Sequence, residues 1–352
     1  MSLLLSSLLI VPVLVAVVDA GSLSVGVRAV KRARRNNTLR PLSDYHSQAL
    51  YSDDDVEYHG SDLFWVPKKG CKLMDAHSKY CKPGVSVYDP NTSTSSEPAD
   101  GRFTMNYGTA SVQGHYHTDV FSFGGRLRLK KPITFGLGEV MRHSDAGVLG
   151  LPSSVDPQER GNSVMHEAWR QKLLDYPIFT VYMRRCPDSE DCKDAGKITF
   201  GTLDGKNCQN VEGDVDVEPD TQHWIFNVTK LEMGGRRLSS AFKAMTDTGT
   251  SQIFAPSKYV DRMVRRLGAE AVEGGYIVDC NTDASLTFTI NEQQYVVPSH
   301  QMLHNLHNGE CQLLVKAHDE DGLWILGNPF TWTFCLIHDI QERIVGFAKV
   351  RN

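Results

Sequence analysis

From residue 103 onward, apolar and polar positions alternate in short runs set off by Gly, Asp, Asn and Ser. A period of two marks strands with one buried face. Phe103-Thr104-Met105-Asn106-Tyr107 alternates, Gly108-Thr109-Ala110-Ser111 interrupts, and 112–123 runs extended again, which predicts a hairpin. Further strands are expected over 178–183, 197–200, 224–233, 286–290 and 332–339. Helical periodicity is scarce. Its clearest case starts at Ser257 as N-cap, sets Val260, Met263, Val264 and Leu267 on one face, and closes at Gly268. A strand-rich chain punctuated by Gly predicts an all-β fold of barrels or sandwiches. Residues 146–151 and 323–328 form a weak internal repeat, in which Val148-Leu149-Gly150 matches Ile325-Leu326-Gly327.

The first 20 residues follow another pattern. Leu3 to Val18 is almost unbroken Leu, Ile and Val around Pro12, followed by the small residues Ala20 and Gly21. This predicts a secretory signal peptide over 1–20, although no Lys or Arg precedes the apolar run. The run is short for a membrane span and Pro12 interrupts it, so no stable membrane insertion is expected after cleavage. The first 50 residues then carry six basic side chains (Arg28, Lys31, Arg32, Arg34, Arg35, Arg40) against Asp19 and Asp44. The remainder is acidic, with 31 basic and 40 acidic side chains. A basic pro-segment and junction over 21–55 is therefore expected to precede an acidic body over 56–352, in preference to a solvated arm or a nucleic-acid patch.

Composition narrows the class. With 41% hydrophobic and 22% charged residues among 352, the chain is not of the disordered class. The net charge of −5 gives no global basic field for nucleic acid. Eight cysteines, an even number in a chain bound for the secretory route, predict disulfides. Zinc is the rival reading, but no CxxC spacing occurs. His115 and His117 are read as surface histidines, and no metal is expected. Sequons at Asn36, Asn91 and Asn227 permit glycosylation.

Thr246-Asp247-Thr248-Gly249-Thr250-Ser251 carries the sharpest chemical signal. It sets a carboxylate on a tight turn after an apolar run, with hydroxyls at hand to hold it. The bland alternative is a loop of ordinary turn formers. Combined with Trp324-Ile325-Leu326-Gly327 downstream and the Tyr107-Gly108-Thr109 hairpin upstream, the chain resembles the pepsin-like aspartic peptidases from about Leu63 to its C-terminus. Trp65-Val66-Pro67 looks like the segment after that family's first catalytic loop. Asn106-Tyr107-Gly108-Thr109-Ala110-Ser111 looks like the flap hairpin, with Ala110 where Gly is usual. Val345-Gly346-Phe347-Ala348 resembles a closing strand.

The resemblance implies a bilobal acid-protease fold of two β-barrel lobes around a central cleft, here an N-lobe over 56–195 and a C-lobe over 196–352. It implies Asp247 as a catalytic acid, with Trp65, Tyr107, Gly108, Thr109, Gly249, Thr250 and Ser251 around the substrate. Tyr107 would close over the peptide with its hydroxyl near the Trp65 indole. Disulfides Cys71–Cys81 and Cys280–Cys311 are implied, with Cys186–Cys192 and Cys208–Cys335 taken as the remainder. The chemistry is peptide hydrolysis at acidic pH by two carboxylates sharing a proton, with no cofactor. Protein or peptide substrates, a monomer, and a secreted or lysosomal destination follow.

The chain departs from that pattern at the first catalytic loop, because its single Asp-Thr-Gly is at Asp247. Two alignments compete. In one, Gly60-Ser61 matches the family's Gly-Ser and Tyr58 stands at the Asp position. In the other, preferred on sequence, a strand pair and the Asp turn are missing between Gly60 and Ser61, so the N-lobe lacks its first strands. Either way one carboxylate of the pair is absent. The expected function is thus an aspartic endopeptidase by resemblance. The alternatives are an inactive peptide-binding homologue or a truncated splice or gene-model product.

Overall fold

The computed structural model describes residues 16–19, 22–29, 63–73, 87–107, 110–123, 127–142, 147–155, 163–186, 192–306, 309–319 and 322–351; over 16–19, 22–29, 123 and 192–194 only the backbone is described. Of the expected signal peptide and pro-segment it describes β1 (Ala16–Asp19) and β2 (Ser22–Ala29), an antiparallel pair. The remainder of 1–62 lies outside the described residues.

The expected hairpin forms. Strand β3 (Trp65–Leu73) is followed by β4 (Glu97–Tyr107) and β5 (Ala110–Asp119), which close as a hairpin with Tyr107 opposite Ala110. With β6 (Ile133–Arg142) they make a four-stranded sheet in the order β3-β6-β5-β4. Strand β5 stops at Asp119 rather than running on to 123. The Asp119 carboxylate accepts hydrogen bonds from the Tyr88 and Ser95 hydroxyls and from the Val120 N–H, where the strand ends.

After helix α1 (Val164–Arg170) come β7 (Ile178–Met183), β8 (Cys192–Phe200) and β9 (Cys208–Asp216). The lobe boundary expected at 195/196 falls inside β8. The expected strand 224–233 is two strands in different sheets: β10 (Ile225–Val228) pairs with β11 (Phe242–Thr246), whereas Lys230–Met233 pairs with Leu286–Ile290. Thr229 divides them; its N–H and its hydroxyl both donate to the Thr289 carbonyl, at 2.9 and 3.0 Å.

The helix read from periodicity is α2 (Ser257–Leu267), preceded by β12 (Ile253–Ala255). It buries Val260 and Met263, carries Arg265 and Arg266 in the last turn where the dipole favours cations, and ends at Gly268 with φ 61°. Ser257 is its first residue rather than its N-cap. Pro256 takes the cap position, and the Ser257 hydroxyl and N–H both donate to the Asp319 carboxylate.

Four more strands complete the frame: β13 (Val315–Ala317), β14 (Trp324–Leu326), β15 (Phe334–Asp339) and β16 (Ile344–Val350). Strand β15 starts two residues later than expected, because Asn328–Thr331 is a helical turn with Trp332 as its C-cap. A five-stranded sheet runs β10-β11-β14-β12-β13. A seven-stranded sheet runs β1-β2-β8-β7-β15-β16-β9 and draws its strands from both halves of the chain. The architecture is mainly β, as expected. The closed barrels are not seen: among the described residues each sheet is an open order of strands.

Trp65 and Trp324 are both fully buried. Phe226, Tyr295, Phe330, Phe334 and Phe347 stack ring on ring, with centroids 4.8 to 5.9 Å apart. Offset and edge-to-face pairs of this kind add about 0.5–1.5 kcal/mol each beyond area burial. Cys208–Cys335 and Cys280–Cys311 are disulfides, with Cα–Cα distances of 6.0 and 5.0 Å. Cys71 and Cys186 are also disulfide-bonded, while Cys81 lies outside the described residues and the side chain of Cys192 is not described.

Candidate active site

Strand β11 ends where the Asp-Thr-Gly begins. It runs parallel to β14, with Ala244, Met245 and Thr246 opposite Trp324, Ile325 and Leu326. Parallel central strands are buried on both faces and need apolar runs, which Ala244-Met245 and Trp324-Ile325-Leu326 provide. The Asp247 N–H donates to the Leu326 carbonyl at 3.2 Å, so the turn starts from a fixed point of the sheet. The Asp247 carboxylate then closes the turn on itself. Its Oδ1 accepts the Gly249 N–H at 2.9 Å and its Oδ2 accepts the Thr250 hydroxyl at 2.6 Å. Thr250 is fully buried, so its hydroxyl acts as a rigid support. Ser251 follows half-buried.

Beneath this turn lies Gly327. The Asn328 N–H donates to the Thr250 carbonyl at 2.8 Å. A Cβ on Gly327 would stand 2.2 Å from that same oxygen and 2.3 Å from the Gln252 carbonyl. Only glycine lets the two backbones approach so closely.

The sheet β3-β6-β5-β4 holds the other expected residues. Trp65 exchanges both backbone hydrogen bonds with Val148, at 2.9 and 3.0 Å, and lies parallel to β6 opposite Gly136. The Trp65 indole N–H donates to the Tyr107 hydroxyl at 2.9 Å, and both side chains are buried. The expected proximity of these two is therefore present. Gly108 and Thr109, at the tip of the hairpin, lie outside the described residues.

Sequence reasoning missed the glycines that make room for this indole. A Cβ on Gly136 would be 2.8 Å from the Trp65 Cβ, and one on Gly138 would be 3.1 Å from its Cε3. A Cβ on Gly147 would be 2.5 Å from the Trp65 carbonyl oxygen. The signal was available as Gly136-Leu137-Gly138, since two glycines two apart in a strand share one face.

His115 and His117, expected at the surface, are half-buried. A polar row crosses the sheet at their level. Arg102 Nε donates to His115 Nε2 at 2.9 Å, His115 Nδ1 meets Glu139 Oε2 at 2.9 Å, and Lys68 Nζ reaches Glu139 Oε1 at 2.5 Å. Partial burial works against the Glu139 charge, but its bonds to Lys68 and His115 prevail and hold the carboxyl below its ordinary value. Burial, with Lys68 nearby, holds His117 below the usual imidazole range.

The weak repeat acquires a structural meaning here. Phe254 of β12 is parallel to Lys316 of β13 and antiparallel to Ile325 of β14. Trp65 is parallel to Gly136 and antiparallel to Val148 in the same way. The two settings are equivalent, so Val148-Leu149-Gly150 stands where Ile325-Leu326-Gly327 stands. Asp247 is seven residues before Phe254, and the residue seven before Trp65 is Tyr58, which lies outside the described residues.

Comparison with known proteins agrees with this frame. Residues 58–350 match the model of the eukaryotic aspartyl protease family. Aspartic protease 1 of Caenorhabditis elegans is 29% identical over 304 residues, covering 82% of this chain and 76% of that protein. Human gastricsin is 27% identical over 314 residues, covering 82% of this chain and 76% of gastricsin. Cathepsin E-B of Xenopus laevis is 28% identical over 306 residues, covering 83% and 74%. With an Asp-Thr-Gly turn held at the end of a parallel strand and a family match over most of its length, the chain belongs to the eukaryotic aspartyl protease family.

Proposed function

We propose that this chain recognises extended peptides as an aspartic endopeptidase does, and that its own rate of hydrolysis is reduced by several orders of magnitude. One observation carries the reading. The equivalent strand settings of Trp65 and Phe254, counted back seven residues along the sequence, support an alignment of Tyr58 with Asp247, and the sequence holds a single Asp-Thr-Gly. Hydrolysis by this family's chemistry needs one carboxyl group to take a proton from water and a second to polarise the carbonyl. A phenol in the second place is a poor stand-in, since its ordinary pKa is near 10. Residues that act as one catalytic unit commonly cost orders of magnitude when one is lost. This register favours the alignment with Tyr58 at the Asp position over a deletion between Gly60 and Ser61.

The recognition half of the proposal rests on Tyr107, Trp65 and the turn Asp247-Thr248-Gly249-Thr250-Ser251. The first two are bonded to each other, and the turn is closed by its own carboxylate. That closed turn also favours a second reading, an endopeptidase that is active as it stands. The disulfides support passage through an oxidising secretory compartment.

The test is hydrolysis of a denatured protein substrate by the purified chain between pH 3.5 and 7, beside calorimetry with a statine-containing peptide. Binding without turnover is expected, and Tyr58→Asp should raise turnover more than tenfold. Family-like turnover by the unaltered chain, lost on changing an acid other than Asp247, would establish the second reading. A Tyr58→Asp variant that binds the peptide but gains no turnover would undo the register argument.

A further inference from the structure

His338 sits buried on β15 near the middle of the seven-stranded sheet. Its ring stacks on Phe179 of β7, with centroids 4.4 Å apart and planes 10° from parallel. Trp224 meets it edge-on at 4.6 Å. The Trp224 indole N–H in turn donates to the Leu151 carbonyl at 2.7 Å, three residues beyond the Val148 that pairs with Trp65. Ser153 fastens the same place, with its hydroxyl toward the carbonyls of Thr221 and His223 and its N–H on that of Gln222. His338 thus lies under the joint between the two halves of the chain. Its slot is aromatic, and its Nδ1 meets no hydrogen-bond partner among the described residues.

The charged and titratable groups on the surrounding elements are engaged elsewhere. Asp339, next on β15, accepts the N–H groups of Gln341 and Glu342. Lys349 of β16 pairs with Glu212 of β9. Arg343 donates to the carbonyls of Pro219, Glu218 and Thr221. On β7 the nearest such groups are Tyr182 and, just past its end, Arg184; His223 adjoins Trp224. Burial pushes the His338 imidazole below its ordinary range.

We propose that His338 is a pH-sensitive pin in this joint. Neutral, it fills the slot between Phe179 and Trp224. Protonated, its Nδ1–H finds no acceptor among the described residues and the ring must leave, taking the packing of Trp224 on Leu151 with it. The direction follows from linkage. Burial lowers the imidazole from 6.5 to about 3 in the folded chain, so the unfolded chain takes up the proton first. The stability is fully present above pH 6.5 and is lost as pH falls toward 3. Each unit below 6.5 raises the unfolding constant about tenfold, hence about a hundredfold at pH 4.5. His166, half-buried on α1 and lowered by burial to about 4, acts in the same direction away from the joint and serves as the comparison.

The experiment is urea unfolding of the full chain, followed by tryptophan fluorescence at pH 7.5, 5.5 and 4.5. Unaltered protein, His338→Phe and His166→Phe are compared. Phe keeps the aromatic slot filled and does not titrate. The ratio of unfolding constants, unaltered over His338→Phe, should grow about tenfold from pH 7.5 to 5.5 and about a hundredfold to 4.5. Parallel pH profiles for those two proteins would overturn the proposal. Should His338→Phe fail to fold, NMR titration of the unaltered chain decides. An imidazole that stays neutral below pH 5 while the fold persists supports the pin, and ordinary titration near 6.5 in the intact fold refutes it.

Discussion

Gly327→Ala tests whether the Asp247 turn is held from below. The added Cβ would stand 2.2 Å from the Thr250 carbonyl oxygen and 2.3 Å from that of Gln252, where ordinary contacts begin at 3.4 Å. About 1 Å of movement is therefore required, and both obstacles are backbone. Thr250 cannot yield without consequence. Its carbonyl accepts the Asn328 N–H, its own N–H donates to the Asp247 carbonyl at 3.3 Å, and its hydroxyl donates to Asp247 Oδ2. Overpacking of this kind costs about 1–3 kcal/mol. Stretching or losing the Asn328 bond adds about 0.5–1.5 kcal/mol. A loss of about 2–4 kcal/mol is expected in urea unfolding at pH 7, together with weakened binding of the statine-containing peptide. Gly205→Ala is the control, since nothing lies within 4 Å of a Cβ there; it should stay within about 0.5 kcal/mol of the unaltered chain. A Gly327→Ala variant less than about 1 kcal/mol below that control would show that the turn does not depend on this close approach.

Two further substitutions probe the frame. Trp65→Phe and Tyr107→Phe, singly and together, should show a coupling of about 1 kcal/mol in a double-mutant cycle on unfolding free energy, because one buried 2.9 Å hydrogen bond joins the pair; strict additivity would mean that the bond contributes nothing. Cys208→Ser with Cys335→Ser should cost about 5 kcal/mol and Cys280→Ser with Cys311→Ser about 4 kcal/mol by chain entropy, given sequence separations of 127 and 31. Urea midpoints in the reverse order would reject the loop-length account.

Several features were legible along the chain because local chemistry decides them. The alternation in 103–107 gave the hairpin strand, and the spacing of Val260, Met263 and Leu267 gave helix α2 with Gly268 as its stop. The carboxylate turn at Asp247 was readable because the Gly249 N–H and the Thr250 hydroxyl that bond it lie within three residues. Cys208 with Cys335 and Cys280 with Cys311 joined as the resemblance and remainder suggested. Where reading failed, the cause was a distant partner. Thr229 splits one apparent strand because Thr289 captures it from another sheet. His115 and His117 stay partly exposed, as read, but the ion-paired row that Glu139, Arg102 and Lys68 form with His115 from three other strands could not be seen along the chain.

The sequence by itself therefore determined that this is a strand-rich chain carrying one aspartic-peptidase turn, since turns, caps and periodicity depend on neighbours a few residues apart. The tertiary structure alone decided which strands lie side by side. That choice made Val148 the counterpart of Ile325 and closed an aromatic slot around His338. A period of two says which face of a strand is buried and nothing about which strand lies beside it, and pairings between residues far apart in sequence are fixed only when the whole core packs at once.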